Sequence, residues 1–155
     1  MRMLMIAVLA IVAGCLTGCS KTEKVAIHPV MGVIYYDGKP AEGVQVFLYP
    51  TSAPGVPAVP AHPHGTTGSD GRFQLATYSD ADGAAEGGYQ IVLFWPQAVE
   101  EDGEESNADR LLGWYTAARS KLTVQVQAGS NEVPRINLPV MKSSPAKSEG
   151  VPGRN

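Results

Sequence analysis

The sequence predicts an all-β protein, an antiparallel β-sandwich of seven short strands, and three observations carry that reading. Glycine (17) and proline (12) punctuate the 155 residues at a density that coiled coils and helical bundles do not tolerate. Apolar residues recur with a period of two in short runs, the signature of half-buried strands. Asp-Gly, Ser-Asp-Gly and Gly-Ser-Asn turn signals separate those runs at close spacing. The stretch from Ile27 to Leu138 is an ordinary size for one sandwich. A chain of that length buries roughly 60–70% of its unfolded surface, enough to fold without disulfides.

Before the first strand, Met1-Arg2 supplies a positive charge and Met3 to Ala13 is an unbroken apolar run. That run has the length of a signal-peptide core and falls short of the roughly 20 residues a spanning helix needs. Ala13, Gly14, Thr17 and Gly18 then provide the small residues of a cleavage site. The two cysteines of the chain, Cys15 and Cys19, both lie here, so the mature domain is expected to hold no disulfide framework and no cysteine metal set. Leu16-Thr17-Gly18-Cys19 resembles the bacterial lipobox, with Val12-Ala13-Gly14-Cys15 as an overlapping second match. Leucine three residues before the cysteine and the polar stretch after Cys19 favour Cys19 over Cys15. The resemblance implies cleavage before Cys19 and acylation of its sulfur and new amino group, which anchors the protein to a membrane. Ser20 resembles the residue that directs such proteins to the outer membrane. An ordinary cleaved signal peptide and an uncleaved anchor are the alternatives.

The domain boundaries follow: 1–18 signal peptide, 19–27 lipidated cysteine and tether, 28–138 sandwich, 139–155 disordered tail low in apolar residues. Val30 to Tyr36 is the first strand and Asp37-Gly38 its hairpin turn. Val44 to Tyr49 returns, with Val44, Val46 and Leu48 on one face and Gln45, Phe47 and Tyr49 on the other. Pro50 to His64 holds five prolines and reads as a loop with polyproline II character. Gly65 to Thr67 forms a short strand, Ser69 to Arg72 a turn, and Phe73 to Tyr78 the next strand. Ser79 to Gly88 reads as a flexible connection. Tyr89 to Trp95 is the most apolar run and the expected central strand, stopped by Pro96, with the Tyr89 hydroxyl near water.

Gln97 to Ser120 is the longest insertion, and its six carboxylates between Glu100 and Asp109 read as a solvated arm. Ala108 to Ala118 is expected to form a helical turn or two. Leu122 to Val126 and Val133 to Leu138 complete the strands, the last an edge because Pro134 cannot donate to a ladder.

With a net charge of −3 the chain lacks the basic field that nucleic-acid binding needs. Nucleophilic catalysis would require a histidine beside a nucleophile and a carboxylate. The histidines are His28, in the entry segment, and His62 and His64, in the proline loop, and there is no G-x-S-x-G. No catalytic residue, metal site or cofactor is therefore expected. His62-Pro63-His64 offers two imidazoles without a third ligand, and Ser79 to Gly83 lacks the distant Glu of a calcium loop. Trp95 reads as core. Trp114 and Tyr115, inside the insertion, are the candidate ligand-binding aromatics.

Gly32-Val33, Asp37 to Pro40 and Gly43 to Val46 resemble the G-x-V-x-x-D-G-x-P-x-x-G-x-x-V opening of carboxypeptidase regulatory-like domains. Gly68 to Phe73 resembles their T-D-x-D-G-x-F turn, with Gly68-Ser69 in place of Thr-Asp, and Gly88 to Ile91 their G-x-Y-x-V strand. With the lipobox, the Trp-Pro pair and the Lys121-Leu122-Thr123-Val124 strand, the set is similar to small planctomycete-type lipoproteins. That resemblance implies a transthyretin-like (prealbumin-like) arrangement and no transferable catalytic residue. The expected function is that of a non-enzymatic, lipid-anchored envelope protein, monomeric, whose sandwich is a structural or protein-interaction module. The alternative is a carbohydrate- or peptide-binding module that uses the proline loop or the Trp114 insertion.

Overall fold

The computed structural model describes residues 25–51, 62–97 and 108–145. Cys15 and Cys19, the centre of the proline loop and most of the acidic arm lie outside the described residues. Within them the chain forms eleven short strands in three sheets and no helix, so the all-β expectation is met with more and shorter strands than seven.

The first sheet is small: β1 (Ile27–His28) pairs antiparallel with β7 (Ala84–Ala85). The second is organised by β2 (Val30–Tyr36), whose inward residues Val30, Gly32 and Ile34 alternate with half-buried ones. It pairs antiparallel with β3 (Lys39–Pro40) and β6 (Arg72–Gln74). Two late segments, β10 (Asn131–Glu132) and β11 (Ile136–Leu138), join it in parallel. The third sheet is antiparallel throughout, in the order β5 (His64–Thr66), β4 (Gln45–Pro50), β8 (Gly87–Phe94), β9 (Thr123–Val126). Strand β8 thus sits between two partners, as the apolar run from Tyr89 requires.

Alternation decides which side of each strand is buried. Val46 and Leu48 face Leu93 and Ile91 across the β4–β8 ladder, and all four are buried. Their outward neighbours Phe47 and Tyr49 are half-exposed. The buried residues of β2, β6 and β11 and those of β4 and β8 belong to one apolar cluster, which makes the fold sandwich-like.

The turns behave as their residues dictate. Asp37 (φ 50°) and Gly38 (φ 75°) take the two left-handed positions of the β2–β3 hairpin. In the Gly68–Phe73 turn the Asp70 carboxylate accepts from the Arg72 amide at 3.0 Å.

Several expectations need correction. The segment from Ser79 to Gly88 is not simply a flexible connection, because it contains β7, whose two alanines are wholly buried. This strand pairs with β1, and the Ala85 carbonyl accepts from the Tyr89 hydroxyl. The Tyr89 ring is itself fully buried, and its hydroxyl reaches the Ala85 carbonyl (3.0 Å) rather than water. The strand from Phe73 is cut to three residues, although a bridge between His64 and Ala76 continues its direction. The last strand splits around Pro134 into β10 and β11, both parallel to β2, so the pairing is not wholly antiparallel. Ala108 to Ala118 is a succession of turns, not a helix, since Leu112 (φ 52°) and Gly113 (φ 76°) leave the helical region.

Asp82 is the anchor of the 79–83 turn. Its carboxylate accepts from the amides of Thr77 (2.6 Å), Tyr78 (3.0 Å) and Ser79 (3.0 Å). Partial burial alone would raise its pKa, but these amides and the Ser79 hydroxyl together hold it below the usual carboxylate value. A group depressed in the folded state adds stability above its unfolded pKa and loses it as pH falls through the folded value. Asp82→Asn is therefore expected to lower stability by about 1–2 kcal/mol at neutral pH. The gap to wild type should narrow as the pH falls below the ordinary Asp value of 3.8. Denaturant titrations at neutral pH and below that value check this, and a gap independent of pH would disprove it.

Candidate functional site

The insertion after β8 is held by one carboxylate. Asp109 accepts from the amides of Trp95 (3.0 Å), Leu111 (2.9 Å) and Gly113 (2.9 Å). Backbone bonds from Gln97 to Ala108 and from Arg110 to Trp95 close the base of the acidic arm. Leu111 enters the core, and Trp95 is buried with its indole N–H on the Glu42 carbonyl (2.8 Å). The Trp95 ring lies edge-on to Tyr36 and beneath the Arg110 guanidinium, 3.6 Å from the ring centroid. Trp95 is thus a packing residue, as its strand position suggests.

Trp114 is different. It is 42% exposed, and with Val140 it accounts for the exposed large apolar side chains among the described residues. Both line one groove of about 760 Å³ on the surface, together with Tyr115, Leu122 and Met141. The Trp114 indole N–H donates to the Ser143 carbonyl at 2.8 Å, so its polar edge is satisfied and its face is free. Tyr115 is half-buried, and its carbonyl accepts from the Leu93 amide at 3.0 Å. Burial pushes its phenol pKa up, so it stays a neutral hydroxyl. At the floor, Ser120 is buried and its hydroxyl is already committed to the Ile91 carbonyl.

The structure therefore brings the two candidate aromatics, Trp114 and Tyr115, into one groove. It adds residues that sequence reasoning missed. Pro139 to Ser143, expected within a disordered tail, form a wall of the groove. The Met141 amide donates to the Tyr36 hydroxyl at 3.3 Å and helps to hold that wall in place. The signal was Val140-Met141, an apolar pair in an otherwise polar tail. The groove also carries Arg119, Lys121 and Lys142, and among the described residues no acidic side chain lines it.

The remaining candidates lie elsewhere. His62 stacks on Tyr49 (ring centroids 4.3 Å apart) and His64 on Phe47 (6.4 Å), on the outer face of the β5–β4 pair. Among the described residues no three His, Cys, Asp or Glu side chains gather to hold a metal.

Among the described residues, the chain is all-β and carries an apolar, cation-rimmed depression where the segment from Trp114 to Leu122 runs alongside β8 into β9. No family model and no curated protein matches the sequence. Among solved structures the chain is similar to a 9R-lipoxygenase from Cyanothece (TM-score 0.42, 13% identity), covering 83% of this chain and 20% of that one. It is also similar to a DUF3823 family protein from Parabacteroides merdae (TM-score 0.38, 18% identity), covering 76% of this chain and 47% of that one. The chain thus spans a fifth of the first protein and just under half of the second.

Proposed function

We propose that this chain is a non-enzymatic binding module, anchored to the cell envelope through an acylated Cys19, that uses the Trp114 groove to hold a partner. The observation that carries the reading is the convergence on that depression of Trp114 and Val140, the two exposed large apolar side chains among the described residues. Concave, mostly apolar surfaces of this size are where ligands bind on rigid scaffolds. The lipobox around Cys19 supports the anchoring. The motifs at Gly32 to Val46, Gly68 to Phe73 and Gly88 to Ile91 support kinship with carboxypeptidase regulatory-like domains and small planctomycete-type lipoproteins. They likewise support a seven-stranded transthyretin-like core within the eleven short strands. The ligand-binding alternative gains over a purely structural role because the groove lies in the Trp114 insertion.

A photo-reactive residue at Val140 tests both parts in cells. Ultraviolet adducts are expected in the wild-type background and to fall several-fold in Trp114→Ala, while Cys19→Ala is expected to take no lipid and to accumulate as an uncleaved precursor. No adduct in wild type would reject the binding role. Unchanged processing of Cys19→Ala would reject the anchor.

A further inference from the structure

We infer that the Trp114 groove takes an anionic phospholipid, its phosphate among Arg119, Lys121 and Lys142 and its proximal acyl chain on Trp114, Val140 and Met141. This rests on the binding role proposed above and specifies its ligand. Three observations point the same way.

The first is the sign of the charge. Among the described residues three cations line the groove and no acidic side chain does, and the ion pairs there, His28–Glu86 and Arg72–Asp70, involve none of the three. The chain as a whole is negative, at −3, so this local excess runs against the overall field.

The second is the inventory of polar groups. A neutral sugar is held largely by carboxylates, which accept from its hydroxyls, and by amides, which both donate and accept. Among the described residues no Asp, Glu, Asn or Gln lines the groove. The Ser120 hydroxyl and the Trp114 N–H are already committed, so beside the hydroxyls of Tyr115 and Ser143 the groove offers three cationic donors and no side-chain carboxylate or amide acceptor. Such a site suits a ligand that only accepts.

The third is the pairing of those donors with exposed apolar surface. Trp114 offers an amphipathic ring, Val140 is 47% exposed, and Lys121 and Lys142 are exposed beside them. Tryptophan and basic residues with long apolar stems are the side chains that settle at a membrane interface. Only seven residues, Ser20 to Ala26, separate Cys19 from the start of β1 at Ile27. That tether spans at most about 29 Å, so an anchored domain stays within reach of headgroups.

The full-length protein, reconstituted into lipid nanodiscs, gives the test. Discs of phosphatidylcholine alone are compared with discs containing phosphatidylglycerol, each with brominated acyl chains that quench nearby tryptophan. The N-terminal segment contains no tryptophan and Trp95 is buried, so Trp114→Phe defines the background. Brominated phosphatidylglycerol is expected to quench Trp114 strongly and phosphatidylcholine weakly. Each cation near an anionic surface contributes about fivefold, so Lys121→Glu with Lys142→Glu should reduce the quenching at least fivefold without changing the circular dichroism. Equal quenching by both lipids, no quenching by either, or quenching that survives the charge reversal would each overturn the assignment. Val140 adducts in cells that contain protein but no lipid would keep the binding role and overturn the lipid, with an acidic protein as the occupant. No adduct of either kind would remove the binding role itself.

Discussion

Leu93→Ala is expected to lower stability by about 2–5 kcal/mol, a large share of what a domain of this size has. Leu93 is almost fully buried, lies opposite Val46 on β4, and belongs to the cluster shared by the second and third sheets. Removing its isobutyl group leaves a void that β8, held between β4 and β9, cannot readily close. Ile91→Ala should behave alike, because Ile91 faces the same way two residues earlier. Val92→Ala, which points outward from the same strand, should change stability by only about 0.5 kcal/mol. Urea titration of the three variants checks the set, and comparable losses at positions 92 and 93 would mean that the inward face is misassigned.

Gly83→Ala should be as damaging, for a backbone reason. Gly83 has φ 101°, and a Cβ built there would lie 1.8 Å from the His28 carbonyl oxygen and 2.8 Å from the Cα of Pro29. The obstacle is main chain, so no rotamer change relieves it. The loop must move and carry away the Gly83 amide that donates to the Leu75 carbonyl and the β1–β7 pairing beside it. A loss of about 3 kcal/mol or more is expected, well beyond the roughly 1 kcal/mol typical of a point substitution. Gly38→Ala makes the control, since a Cβ at Gly38 meets nothing within 4 Å and only its φ of 75° resists. A Gly83→Ala melting curve close to that of Gly38→Ala would show that the loop yields easily.

The strands from Val30, from Val44 and from Tyr89 were legible because two-residue alternation and Asp-Gly punctuation are local signals. The elements that escaped depend on distant partners. Ala84-Ala85 has no pattern of its own and becomes a strand only because β1 lies opposite. Asn131 and Ile136 join β2 in parallel because their chain returns to the first long strand, which no local window records. The site was half legible for the same reason. Aromatic residues in a long insertion mark Trp114 and Tyr115, whereas the wall from Pro139 to Ser143 exists only once Trp114 can reach the Ser143 carbonyl.

The return of the C-terminal strands to β2 also sets the order in which the molecule can be completed. Pro29 accepts a hydrogen bond from the side chain of Asn131, 102 residues further along, and the amide of Asp37 donates to the carbonyl of Leu138. Contacts between the two ends of a chain form late, because the intervening loop must close before they stabilise anything. A chain that stops short of Asn131 therefore presents β2 without two of its neighbours, β10 and β11, an open strand edge that invites pairing with another copy. The residues from Asn131 onward thus act as a seal on the second sheet, and a truncation there is expected to expose an adhesive edge.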